Sequence, residues 1–141
     1  MRRQPHTPLK VIREMFKILK LTPNDRLCDL GSGDGRVCLL ASRDISCLSV
    51  GYEHEKELFD LAMNTEKWMK SGATFYNLDF NKIDLSQFNV IYVYLIPEEQ
   101  RSSYPFETAT VVFYDVLPKH AVPYETVEVD GHTLHFCGRR R

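Results

Sequence analysis

An α/β fold with a mostly parallel sheet and a C-terminal antiparallel hairpin is predicted by three observations. Helical and extended patterns alternate along most of the chain. A glycine-rich loop, Asp29-Leu30-Gly31-Ser32-Gly33-Asp34-Gly35, follows an apolar run and precedes a helical one. Asp130-Gly131 sits between two extended runs near the C-terminus, the composition of a tight type I′ hairpin turn.

The elements follow in order. Thr7 can cap a first helix that Pro8 opens, and Ile12, Met15, Phe16 and Leu19 recur at helical spacing on its buried face. Pro23-Asn24-Asp25 turns the chain into a strand over 26–30, and residues 37–43 begin the next helix. A second strand spans 46–53, and a long helix over 55–70 stops at Gly72. Residues 73–78 form a third strand. Residues 89–96 are nearly all apolar, as a central strand covered on both faces must be. A fifth strand covers 110–116, and 125–129 with 132–136 close the hairpin. The absence of linkers and repeats makes residues 1–141 one domain.

A net charge of -1 opposes a general nucleic-acid or membrane binder, so neither DNA nor membrane insertion is expected. The basic pair and the basic triplet at the ends, Arg2-Arg3 and Arg139-Arg140-Arg141, read as solvated termini. Cys28, Cys38, Cys47 and Cys137 show no metal-binding spacing, so no metal site is expected. No secretory leader pattern and no apolar run of about 20 residues occurs, which points to an intracellular, cytoplasmic protein with reduced thiols.

The loop identifies the ligand. Glycines allow close approach of the backbone, and a helix start presents amides to an anion. A dinucleotide fingerprint would place its third glycine where Arg36 stands, whereas Gly-x-Gly-x-Gly after an acid is common in S-adenosylmethionine sites. Asp29 and Asp34 set negative charge beside that donor's cationic amino-acid end. Glu53, about 20 residues on, can accept from both ribose hydroxyls. Asp79 can accept from the adenine amino group, and Phe80 can pack on the purine.

Strands linked by crossovers and closed by a hairpin match the Rossmann-like sheet of class I methyltransferases. Thr7-Pro8, the run 29–36 ending Gly-Asp-Gly-Arg, Gly51-Tyr52-Glu53, Asp79-Phe80 and Val93-Tyr94-Leu95-Ile96-Pro97 go further. Together they resemble the small seven-strand protein lysine methyltransferases of archaeal broad-specificity and mitochondrial type, and more distantly the Dot1-type histone methyltransferases. The resemblance implies that Asp29, Gly31, Ser32, Gly33, Asp34 and Gly35 cradle the methionine portion of S-adenosylmethionine. It also implies that Thr7 reaches its carboxylate, Glu53 holds the ribose, Asp79 and Phe80 frame adenine, and Tyr94 borders the transferred methyl. Residues 98–108 are shorter than that family's usual helix and contain the helix breaker Pro105.

The expected acceptor is a lysine side chain on a protein, because the chain has no length to spare for a lid over a small metabolite. A small-molecule N- or O-methyltransferase and a non-catalytic donor-binding scaffold are the alternatives. The oligomeric state is not legible.

Overall fold

The computed structural model describes residues 6–141. Arg2-Arg3 lies outside the described residues. The elements are α1 (Leu9–Leu19), β1 (Arg26–Leu30), α2 (Arg36–Leu40), β2 (Leu48–Tyr52), α3 (Lys56–Met69) and β3 (Thr74–Tyr76). They continue with β4 (Val90–Val93), β5 (Thr110–Tyr114), β6 (Pro123–Val129) and β7 (His132–Gly138).

One seven-stranded sheet runs in the order β3-β2-β1-β4-β5-β7-β6. The first five strands are mutually parallel, and β7 is antiparallel to both β5 and β6. The chain reverses direction across the sheet at β1, which lies between β2 and β4. In open α/β sheets, ligands bind at such a switch point, beyond the carboxyl ends of the strands. Register places Asp29 between Gly51 and Tyr92, and Leu30 between Tyr52 and Val93. The loops after β1, β2 and β4 therefore leave the sheet from one edge.

Alternation along the strands divides the core. On one face Val90, Tyr92, Val112 and Phe136 pack with α1 residues Ile12, Met15 and Leu19. On the other, Ile91, Val93, Val111 and Phe113 meet Phe80, Ile83, Leu85 and Phe88. All four β4 residues are buried, as their apolar run requires. No helix forms over 98–108; Tyr104 and Phe106 cover the sheet instead, with Tyr104 edge-on to Phe113 at 5.2 Å.

Several boundaries differ from the sequence expectation. Thr7 does not cap α1: Pro8 holds the cap position, and the Thr7 hydroxyl is buried 2.7 Å from the Tyr92 hydroxyl. That tertiary bond is more valuable to a buried hydroxyl than a local cap. The second helix is short and passes into a π-helical turn, Ala41–Ile45. Lys70, in the left-handed conformation, ends α3 two residues before Gly72. Strands β4 and β5 stop early because Leu95 and Asp115 take positive φ, 55° and 59°, and turn the chain out of the ladder. At the hairpin, Asp130 and Gly131 have φ of 50° and 80°, the pair of positive values a type I′ turn needs.

Candidate active site

The glycine-rich loop is folded by its own backbone. The Gly31 and Ser32 amides both donate to the Tyr52 carbonyl, at 2.9 and 3.0 Å, and the Gly35 amide donates to Ser32 O at 2.8 Å. Gly33, at φ 56°, is the bare point of the loop: a Cβ there would meet nothing nearer than His6 Nδ1 at 3.9 Å. Its amide donates to Glu53 Oε1 at 2.8 Å. Gly35 serves a different purpose. A Cβ on it would come within 2.8 Å of Phe75 and 2.9 Å of Ala62, so its missing side chain lets the start of α2 approach α3 and β3. Gly35 is not among the residues lining the cleft.

That cleft has a volume of about 320 Å³, and Gly31, Gly33, Glu53, Phe80 and Tyr94 all line it. A constricted annex of about 20 Å³ continues beneath the loop, bounded by Thr7, Asp29, Ser32, Asp34 and Tyr92. Asp79 is exposed and lies outside both, although Phe80 next to it is buried. Phe80 meets the His54 ring edge-on at 5.2 Å.

The electrostatics of the annex are unusual. Asp29 is 1% exposed, and burial raises its pKa well above the ordinary carboxyl value, with Glu53 and Asp34 raising it further. Its Oδ1 has no hydrogen-bond partner. Asp34 behaves oppositely. Burial alone would raise its pKa, but Arg36 outweighs burial and holds it below the usual value. The guanidinium grips that carboxylate with Nη2 at 2.8 Å and Nε at 3.2 Å, so Asp34 offers little free negative charge to a ligand. Glu53 is buried yet accepts from two backbone amides, Gly33 at 2.8 Å and Glu55 at 3.1 Å.

Two further buried atoms lack partners, Ser32 Oγ and the Tyr94 hydroxyl. Burial, with Asp115 adding to it, pushes the Tyr94 phenol up to about 12. Its ring stacks on Tyr114 at 4.9 Å. Native proteins pair nearly all buried polar atoms, so orphans gathered in one pocket mark a place where a ligand supplies the partners.

Sequence reasoning did not assign His6, His54, Leu58 or Gln100, all of which line the cleft. His54 could have been suspected as the neighbour of Glu53. Leu58, in the first turn of α3, and Gln100, after β4, carry no local signal.

Comparison with known proteins agrees with this geometry. The sequence model of the family described as "Histone methylation protein DOT1" matches residues 6–114. A protein-lysine N-methyltransferase of Saccharolobus islandicus (strain REY15A) is 33% identical over 93 residues, covering 64% of this chain. The match spans only 58% of that relative's length. The crystal structure of an RNA methyltransferase from Salinibacter ruber, in complex with S-adenosyl-L-homocysteine, superposes with a TM-score of 0.85 at 29% identity. It covers 95% of this chain and 93% of the other. A methyltransferase from Thiobacillus denitrificans, also with S-adenosyl-L-homocysteine, shares the fold alone: TM-score 0.66, 16% identity, 84% of this chain and 54% of the other. With the match over residues 6–114 and the seven-stranded class I methyltransferase sheet, the chain belongs to the DOT1 histone methylation family.

Proposed function

We propose that the protein is an S-adenosylmethionine-dependent methyltransferase, carried by one domain, that transfers methyl to lysine side chains of proteins. The observation that carries this reading is the set of three partnerless buried atoms, Asp29 Oδ1, Ser32 Oγ and the Tyr94 hydroxyl, on residues that all border one annex. An acceptor carboxylate, a hydroxyl and a phenol suit the ammonium and carboxylate of an amino-acid moiety. The bare Gly33 leaves room for it.

When bound, the donor supplies an electrophilic methyl on a sulfonium. The chain's own residues position it. Asp29 receives the donor's ammonium, a contact that favours the ionised carboxylate otherwise opposed by burial. The partnerless Ser32 hydroxyl faces the carboxylate, with Thr7 closing the annex through Tyr92. Gly31 and Gly33 form the floor, and Gly35 sets how closely α2 packs beneath them. Asp34 holds Arg36 across the loop. Glu53 keeps lone pairs for the ribose hydroxyls beside its two amide bonds. Phe80 offers its ring to adenine, and Asp79 accepts from the adenine amino group from the exposed side of Phe80. Tyr94 borders the methyl as the candidate catalytic residue. Methyl transfer is an in-line displacement, so holding an amine lone pair in line supplies much of the rate.

The family and the lysine-methylating relative support a lysine acceptor over DNA or a small metabolite. An RNA acceptor is the second reading, favoured by the likeness to the Salinibacter protein. Cysteines that are all free and buried support a reducing, cytoplasmic setting, and among the described residues no helix is long and apolar enough to cross a membrane. The test is incubation of the purified chain with radiolabelled donor and a lysate. Label lost to protease and mapped to lysine Nζ supports the first reading; label lost to nuclease supports the second. Donor binding with no transfer to either would sink both.

A further inference from the structure

A second cavity opens where β4 and β5 end, divided from the cleft by one short segment. Its volume is about 340 Å³, and it lies between the turn that leaves β4 and the turn that leaves β5. Val93 and Phe113, paired at the last step of the β4–β5 ladder, contribute to its lining and are 2% and 1% exposed. Tyr104, edge-on to Phe113 at 5.2 Å, lines it as well. Leu95, Ile96 and Pro97 line both this cavity and the cleft, so these residues are the partition between the two.

The partition is braced on each side. Toward the cleft, a Cβ on Gly31 would come within 3.0 Å of the Tyr94 carbonyl and 3.1 Å of Ile96 Cδ1, so the glycine-rich loop lies close against the segment. On the other side, the Pro97 carbonyl accepts the Gln100 and Arg101 amides at 2.9 and 3.1 Å. Arg101 in turn donates to the carbonyls of Phe80 at 2.9 Å, Ile83 at 2.6 Å and Ser103 at 2.9 Å. Its guanidinium is thus engaged by the chain itself, and Val93, Tyr104 and Phe113 leave the cavity apolar walls. The two turns set apolar side chains at the rim. Leu95 and Asp115 take positive φ, 55° and 59°, and Leu95 and Val116 stay 42% and 64% exposed. A left-handed leucine is rare because its Cβ crowds the following carbonyl, and such backbone gathers at ligand sites.

A lysine that reaches the cleft arrives as part of a chain. One backbone is about 4.8 Å wide, the spacing of paired strands, and an extended chain advances about 3.3 Å per residue. One or two residues therefore carry an acceptor chain across the partition from the cleft into the second cavity. We propose that this cavity is an acceptor subsite that takes an aliphatic or aromatic side chain one or two residues from the lysine being methylated. Resting on lysine methylation at the cleft, the subsite adds a preference in acceptor sequence. Its occupant is apolar because the walls are, and belongs to the acceptor because the cleft and the cavity share a partition.

The experiment gives the purified chain two peptides and a minimal acceptor. Each peptide holds one lysine, with leucine and phenylalanine beside it on both sides in the first peptide and serine at those places in the second. The minimal acceptor is Nα-acetyl-lysine amide. Steady-state kinetics give kcat and KM, calorimetry gives donor Kd, and sedimentation gives the oligomeric state. We expect kcat/KM for the apolar peptide to exceed that for the serine peptide by about 10- to 100-fold, the gain lying in KM, as burial of one such side chain provides. Val116→Asp sets a charge at the exposed rim and brings the two peptides within about threefold of each other, whereas Val116→Leu keeps the preference. Donor Kd is the same in all three proteins. Equal kcat/KM for the two peptides in wild type, or a preference that survives Val116→Asp, overturns the inference while leaving lysine methylation intact. So does a concentration-dependent dimer that Val116→Asp dissociates, because the cavity then receives a second copy of the chain. If wild type binds donor and methylates none of the three acceptors, the proposed function fails and the subsite falls with it.

Discussion

Replacing Glu53 by Gln separates two duties of one carboxylate. In the folded chain its oxygens accept the Gly33 amide at 2.8 Å and the Glu55 amide at 3.1 Å. Gln has one acceptor oxygen, so one amide loses its partner and faces an NH₂ group. A hydrogen bond to a charged acceptor contributes about 1.5–3 kcal/mol, and the surviving bond weakens as the charge disappears. The expected loss of stability is about 2 kcal/mol. It is trimmed slightly because Glu53 also repels the Asp29 carboxylate. For a domain of this size that is a fall in Tm of about 6–10 °C. Donor binding loses a charged acceptor for the ribose, about 2 kcal/mol or roughly 30-fold in Kd. Thermal unfolding without donor and calorimetry with S-adenosylhomocysteine read the two effects separately. If Tm falls but Kd stays within twofold, Glu53 serves only to brace the Gly33 loop, and its assignment to the ribose is refuted.

Other perturbations test the remaining groups. The pKa of Asp29 is raised on folding, so its contribution to stability is greatest below the unfolded value and is lost as pH rises through the folded one. Asp29→Asn should abolish that decline, raising neutral-pH Tm in urea or heat melts of the unliganded protein, while weakening donor binding at least tenfold. By the same linkage, wild-type donor affinity should increase as pH rises through the raised Asp29 pKa, measurable by calorimetry across a pH series. Tyr94→Phe removes a buried hydroxyl that has no partner, so melting should show stability unchanged or higher by up to about 1 kcal/mol, with methyl transfer reduced. Gly35→Ala forces a Cβ against Phe75 and Ala62 from a backbone at φ 87°, and overpacking together with that strain should cost about 3 kcal/mol in denaturant titrations.

What could be read from the sequence depended on how local its cause was. The apolar run through β4, the helical spacing on α1 and the Asp130-Gly131 turn are short-range patterns, and each formed the expected element. Asp29 and Glu53, expected at the ends of their strands beside the glycine-rich loop, do border the annex and the cleft. Asp79 was assigned by its position after β3, a strand of three residues that a 3₁₀ turn, Phe80–Lys82, follows. The turn buries Phe80 and leaves Asp79 exposed. Gly35 belonged to the same motif as Gly33, yet motif membership cannot tell a glycine that lines the cleft from one that admits Phe75.

The bond between Thr7 and Tyr92 joins positions 85 residues apart in sequence. A nascent chain that has emerged only as far as β3 already owns the glycine-rich loop and Glu53, yet it has neither Tyr92 to clasp Thr7 nor Tyr94 to wall the annex. The annex proposed to hold the methyl donor is thus walled only once the middle of the sheet has been synthesised, and a truncated translation product would display the signature motif without that enclosure.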